Sequence, residues 1–298
     1  MDSHVQTGLT WHRYDVSANV SLLFTELPLL ERFAAARQAG FTAVECWWPF
    51  PTADPDPGAV EEILETIEDS GVRLTGMNVF AGDMAAGERG IACAPERADE
   101  LEASLAVLRT IAQRTGCRGF NLLHGQVPPD ADQAAQEAAQ EAAREAAVHA
   151  YRRAAETMSG LTARDGSDIS DGVILVEPLA RGLNGAYPLE TAQDALELID
   201  EVGAPNVMLL LDTFHLTRNG VDIVDLIEGA ADRIGHVQLA DSPDRGEPGG
   251  GSVDFAAIGS ALRAHGYTGT VAAEYRPTEE TLRTLDWLTP APDSQPLA

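Results

Sequence analysis

The sequence predicts an α/β fold, a single (β/α)8 TIM barrel over residues 1–298, on three observations. A short apolar, β-branched run, a polar turn and an amphipathic helix recur along the whole chain. Eight such units share 298 residues, about 37 each, enough for a helical crossover between parallel strands. Gly40, Gly71, Gly116, Gly203 and Gly266 each stand between a helix and the next strand, where a left-handed C-cap is needed. An open doubly wound sheet shares the alternation, but eight units close most naturally as a barrel.

The elements follow in order. The first strand is expected at 16–22, with a helix over 29–39 opened by Pro28. The second strand, 43–47, precedes a helix near 58–69, and the third, 73–79, a helix near 95–115. Between the third strand and its helix lies a loop of about 14 residues, 80–93, long enough to be a lid or binding element. The fourth strand, 119–123, leads into an extended alanine-rich helix near 131–158, whose segment 134–147 contains strong helix formers and no turn residue. A fifth strand at 173–177 precedes a helix over 189–201; strands at 207–212, 234–239 and 270–274 complete the set, each expected to lead into a helix. The tail, 290–298, reads as frayed.

Composition removes several chemistries. There are 47 acids and 20 bases, a net charge of −27, and every base is arginine. Without lysine there is no Schiff-base aldolase, no lysine-anchored pyridoxal phosphate and no Walker-type phosphate loop. A surface this acidic, with no basic stripe, opposes binding to nucleic acid or anionic membrane. Cys46, Cys93 and Cys117 are widely spaced and form no CxxC pair, which suits a reducing compartment. No stretch approaches the roughly 20 apolar residues of a membrane span, and the first 20 residues lack a signal peptide's pattern. The expectation is a cytoplasmic protein with a small-molecule substrate, open to homo-oligomerisation.

Catalytic groups of such barrels come from the C-terminal ends of the strands. The fifth strand ends in Glu177, the sixth in Asp212 and the eighth in Glu274; the seventh carries Gln238 and ends in Asp241. Any one acid could cap the following helix or face solvent. Four in succession converge at the barrel mouth, where like charges oppose folding unless a cation or arginine neutralises them. Carboxylate and carboxamide oxygens suit Mg²⁺ or Mn²⁺ better than zinc. His215, in LDTFH, is placed to polarise a substrate oxygen, and Arg245 lies in a glycine-rich loop after the seventh strand. Glu88 and Arg89 fall in the long third loop, where Arg89 either binds a substrate carboxylate or orders the loop through an ion pair. GxSxG, HExxH and a strand-linked GxGxxG are all absent from the sequence.

Several segments carry a resemblance. The run NVSLLFTELPLLERFAAARQAGFTAVE at 19–45, NVFAGDMAAGERGIAC at 78–93, VEPL at 176–179, LDTFH at 211–215, GHVQLADSPDRGEPG at 235–249 and AAEYRPTEETLRTLDWL at 272–288 resemble the hydroxypyruvate isomerase family, within the xylose-isomerase-like barrels. The resemblance spans about residues 15 to 288. It implies a divalent metal held by Glu177, Asp212, Gln238 and Glu274, with Glu177 and Glu274 also moving the proton. His215, Arg245, Arg89 and Glu88 are the residues expected to contact the substrate. The implied reaction interconverts hydroxypyruvate and tartronate semialdehyde. A 2-oxo-tetronate isomerase, a keto-sugar 3-epimerase and a non-catalytic sugar-acid-binding barrel are the alternatives. Gln238 stands where related sugar epimerases usually have histidine, which favours the isomerase branch. Two positions depart from the family pattern: Gly246 replaces a histidine after Arg245, and Ser252 a glutamate after the glycines. Both bear on the substrate more than on the reaction.

Overall fold

The computed structural model describes residues 11, 13–129, 132–163, 166 and 170–288. The tail expected to fray, 290–298, and residue 131 of the alanine-rich segment lie outside these. Eight parallel strands, β1 (Val16–Asn19), β2 (Ala43–Cys46), β3 (Arg73–Asn78), β4 (Gly119–Asn121), β5 (Val173–Val176), β6 (Val207–Asp212), β7 (Ile234–Leu239) and β8 (Val271–Ala273), form a closed barrel in sequence order. Pairing of β1 with β8, Val16 against Val271, closes it.

The outer layer contains α1 (Leu29–Gln38), α2 (Pro57–Ser70), α3 (Ala98–Thr115), α4 (Gln133–Thr157), α5 (Ala192–Val202), α6 (Thr213–Arg218), α7 (Ile223–Ala230) and α8 (Phe255–Ala264). Their starts follow from local chemistry. Asp56 accepts the Gly58 N–H before α2, and Thr191 and Asp194 form a reciprocal capping box at α5. Gly71, Gly116 and Gly203 are left-handed C-caps, as their spacing predicts. Each helix buries an apolar stripe on the barrel. In α3 that stripe is Leu101, Leu105, Leu108 and Ile111, each worth about 1.5–3 kcal/mol when taken from water.

Two differences from the sequence expectation matter for function. Strands β5 and β8 stop one residue short of Glu177 and Glu274, so both glutamates leave the ladder at the rim. After β8 the described residues form two 3₁₀ turns, Thr281–Thr284 and Asp286–Leu288, in place of the expected helix. Pro277 forces φ and removes an N–H just past the strand, where a helix would have to begin. Helix α4 runs 25 residues, but its buried positions begin only at Ala147. Arg144, paired with Glu201, and Arg153, paired with Glu102, tie it to α5 and α3.

Inside the barrel, register sets which side chains meet. Asn19 is opposite Glu45, Asn78 opposite Asn121, and Asp212 opposite Gln238. The buried Glu45 side chain has room because Gly76, its neighbour on β3, has none: a Cβ there would lie 3.2 Å from Glu45 Oε2.

Candidate active site

A cavity of about 700 Å³ opens at the C-terminal end of the barrel. Its walls include Trp47, Arg89, Glu177, His215, Arg245 and Glu274. These come from the ends of β2, β5 and β8, the loops after β3 and β7, and the first turn of α6. Parallel strands all deliver their ends to this one rim.

Glu177 and Glu274 are each held by one oxygen, Asp212 by both. Glu177 Oε2 accepts from Asn121 Nδ2 at 2.6 Å, leaving Oε1 facing the His215 ring 3.7 Å away. Asp212 caps α6: its Oδ1 accepts the N–H groups of Phe214 and His215, and its Oδ2 faces Arg245. Glu274 Oε1 accepts from Trp47 Nε1 at 3.1 Å and from Arg245 at 2.9 Å. Its Oε2 is buried without a partner among the described residues. Burial, and then Asp212, push the Glu177 carboxyl up to about 8. Burial holds Glu274 well above the usual carboxylate range, with Arg245 opposing.

Two bases complete the floor. Arg245 bridges Asp212 and Glu274 and lies 5.6 Å over the Phe214 ring. It does so from a left-handed backbone (φ 60°), a conformation that disfavours a side-chain-bearing residue by about 1–2 kcal/mol. The His215 tautomer is set by its neighbours. Nδ1 accepts the Ala180 backbone N–H at 2.9 Å, so the neutral ring carries its proton on Nε2. Burial depresses its pKa to about 3, which keeps the ring neutral.

That tautomer decides how a metal would be held. Glu177, Asp212 and His215 offer ligand atoms within 4.8 Å of one another, but a protonated Nε2 has no lone pair to give. His215 is therefore a hydrogen-bond donor to the cavity. The oxygen donors fit better. Gln238 Oε1 and Glu274 Oε2 are both buried without hydrogen-bond partners among the described residues, and an oxygen-only set suits a hard divalent ion. Glu177, Asp212, Gln238 and Glu274 are thus the residues that would hold a divalent cation. Gln238 donates its amide to Glu45 Oε1 at 2.8 Å.

The third loop divides its two marked residues. Arg89 lines the cavity; its guanidinium donates to Asn184 Oδ1 and to the carbonyls of Met84 and Glu88. It meets no carboxylate at ion-pair distance among the described residues, and burial, Arg245 and Arg276 all lower its pKa. The loop is ordered by Glu88 instead, which binds Arg97 at 2.7 Å and the Asp83 N–H, away from the cavity wall. Asp241 likewise serves its own loop, accepting from Ser242, Gly249, Gly251 and Val253. Trp47, Asn121, Asn184 and Arg276 are not acids closing a strand, so the pattern that marks Glu177, Asp212 and Glu274 does not mark them. The same rule applied to asparagine finds Asn19, Asn78 and Asn121, the last residues of β1, β3 and β4.

A closed parallel barrel with three buried carboxylates and an arginine at its C-terminal mouth defines a (β/α)8 barrel with a polar mouth of catalytic character. The chain belongs to the xylose isomerase-like TIM barrel family, whose model matches residues 33–291. It is 37% identical over 288 residues to a putative hydroxypyruvate isomerase of Streptomyces coelicolor, covering 94% of this chain and 97% of that protein. It is 33% identical over 274 residues to a hydroxypyruvate isomerase of Escherichia coli, covering 92% and 98%. The crystal structure of an AP endonuclease, family 2, from Brucella melitensis superposes with a TM-score of 0.77 at 31% identity, covering 91% of this chain and 96% of that one.

Proposed function

We propose that this protein is an intramolecular oxidoreductase of the aldose–ketose type that interconverts hydroxypyruvate and tartronate semialdehyde. The observation that carries the reading is the pair Glu177 and Glu274, which face one cavity with one oxygen tethered and one oxygen free. A bound Mg²⁺ or Mn²⁺ would supply charge neutralisation at the substrate's carbonyl and hydroxyl oxygens. One glutamate takes the proton from the carbon beside the carbonyl, giving an enediolate, and a proton returns to the former carbonyl carbon. The hydroxyl proton passes from one substrate oxygen to the other, so no atom or electron enters or leaves. His215 Nε2–H and the Arg245 guanidinium meet the oxygen that gains negative charge. Arg89, which meets no carboxylate at ion-pair distance among the described residues, takes the carboxylate of the incoming anion.

The carboxylate requirement answers the net charge of −27: an anion reaches this mouth because arginines line it. Among the described residues no helix is long and apolar enough to cross a membrane, in keeping with a cytoplasmic setting. The test is turnover of hydroxypyruvate with and without a chelator. Loss of about 10²-fold or more in a Glu177→Gln, Glu274→Gln double variant is expected, and retained activity overturns the assignment.

One observation favours a second substrate. A cavity of about 700 Å³ has far more room than a three-carbon acid needs. Gly246 adds freedom beside it, since a Cβ there would meet only Thr278 Cγ2 at 3.6 Å. A 2-oxo-tetronate isomerase or keto-sugar 3-epimerase would use the same enolisation. Comparing turnover on three-, four- and six-carbon substrates separates the readings.

A further inference from the structure

Glu45 is an acid in the middle of an apolar barrel strand, buried at 3% exposure and outside the reacting pair. Three neighbours point at it. Asn19 Nδ2 donates to its Oε1 at 2.9 Å, Gln238 Nε2 to the same oxygen at 2.8 Å, and the His236 ring nitrogen lies 2.7 Å from its Oε2. His236 and Gln238 are two residues apart on β7, so both side chains face the barrel interior and both grip the same carboxyl group.

Gln238 has one donating end and one accepting end, and they cannot be exchanged here. An oxygen turned toward Glu45 Oε1 would meet another acceptor and leave two buried amide hydrogens unpaired. With the amide nitrogen committed to Glu45, the carboxamide oxygen must face the other way. That oxygen is buried and has no hydrogen-bond partner among the described residues. Its residue pairs in register with Asp212, whose Oδ2 accepts from the Arg245 guanidinium that also reaches Glu274.

We infer that Glu45 is a positioning residue: by holding the Gln238 amide nitrogen it fixes the carboxamide oxygen away from Glu45 as a preorganised cation ligand. The inference rests on the divalent-metal reading above. Neither Glu45 nor His236 touches the substrate; both act through Gln238. Groups of this kind typically change metal affinity by about 10–100-fold when removed.

The experiment measures Mn²⁺ affinity by calorimetry on chelator-treated protein, with circular dichroism and Tm as folding controls. Glu45→Met is expected to weaken binding about tenfold or more. Glu45→Gln, whose amide oxygen can still accept the Gln238 N–H, should recover most of it. In a Gln238→Met background, Glu45→Met should weaken binding no further, because a residue acting only through Gln238 has nothing left to orient. Binding by Glu45→Met within twofold of wild type overturns the inference, as do losses that add in the double variant. A water serving the Gln238 oxygen in place of an ion would give the first of these outcomes. Wild-type protein that binds no Mn²⁺ overturns the metal reading and this inference together, a result distinct from equal binding by wild type and variant. Should Glu45→Met not fold, the Gln238 side-chain amide resonances of wild type take its place. Slow hydrogen exchange with and without Mg²⁺ is expected, and rapid exchange overturns the inference.

Discussion

The two halves of the barrel bring opposite chemistry to the same rim. Strands β5, β6 and β8 present Glu177, Asp212 and Glu274, all buried; Glu177 and Glu274 each keep one oxygen without a hydrogen bond among the described residues, while both oxygens of Asp212 accept. Strands β1, β3 and β4 end instead in Asn19, Asn78 and Asn121, and β2 carries the buried Glu45. The second half supplies the charge; the first supplies donors and acceptors that orient it. Asn121 holds Glu177, and Glu45 with Asn19 holds Gln238. Buried carboxylates need such partners, because an isolated one in this setting would protonate or disrupt the fold.

Four measurements test that division, beginning where the effect is largest. Removing charge from the second half, by Glu177→Gln or Glu274→Gln singly, should cost about 10²–10⁴-fold in kcat with the circular dichroism spectrum unchanged. A smaller change comes from the first half. Asn121→Ala removes a hydrogen bond to a charged group worth about 1.5–3 kcal/mol, so kcat/KM should fall about tenfold to hundredfold. The sign of its pH effect follows from Asn121 lowering the Glu177 pKa. Without it the carboxyl ionises at higher pH, and the acidic limb of the kcat/KM profile should move up. An unmoved limb would place the active base elsewhere.

Arg89→Gln tests the loop that crosses from the first half to the mouth. It should raise KM for a carboxylate substrate about tenfold while changing kcat less, since binding of an unreacting carboxylate is shared by ground and transition states. Equal loss in kcat would make Arg89 part of the reacting set. The smallest effect belongs to α4, which joins the halves. Ala139 is exposed in its outer stretch, so Ala139→Gly should cost at most about 1 kcal/mol, seen as a few degrees in Tm, with unchanged turnover.

The halves also differ in how much of them can be read from sequence. An acid closing an apolar run is conspicuous, and Glu177, Asp212 and Glu274 stand out for that reason. An asparagine at the same place looks like a turn residue, because that is its commoner use. Glu45 in AVEC is visible as an anomaly, but its partners lie 26, 191 and 193 residues away and only strand register brings them together. The barrel itself is legible through its period and its capping glycines. Loop ends are less so: Asp241 resembles a site acid yet accepts four backbone N–H groups of its own loop, while Arg89 and Glu88, adjacent in sequence, turn to different sides.

Trp47 gives this site an optical handle. Its indole N–H meets Glu274, whereas that of Trp48 is occupied by the Thr52 carbonyl. Of the four tryptophans, Trp11 and Trp287 are buried in the core and do not line the mouth cavity. Any event that changes the charge on Glu274 therefore alters the field along the Trp47 ring, and with it the wavelength and yield of its emission. A protein carrying phenylalanine at the other three positions would report proton transfer or cation arrival as light, in real time and without a label.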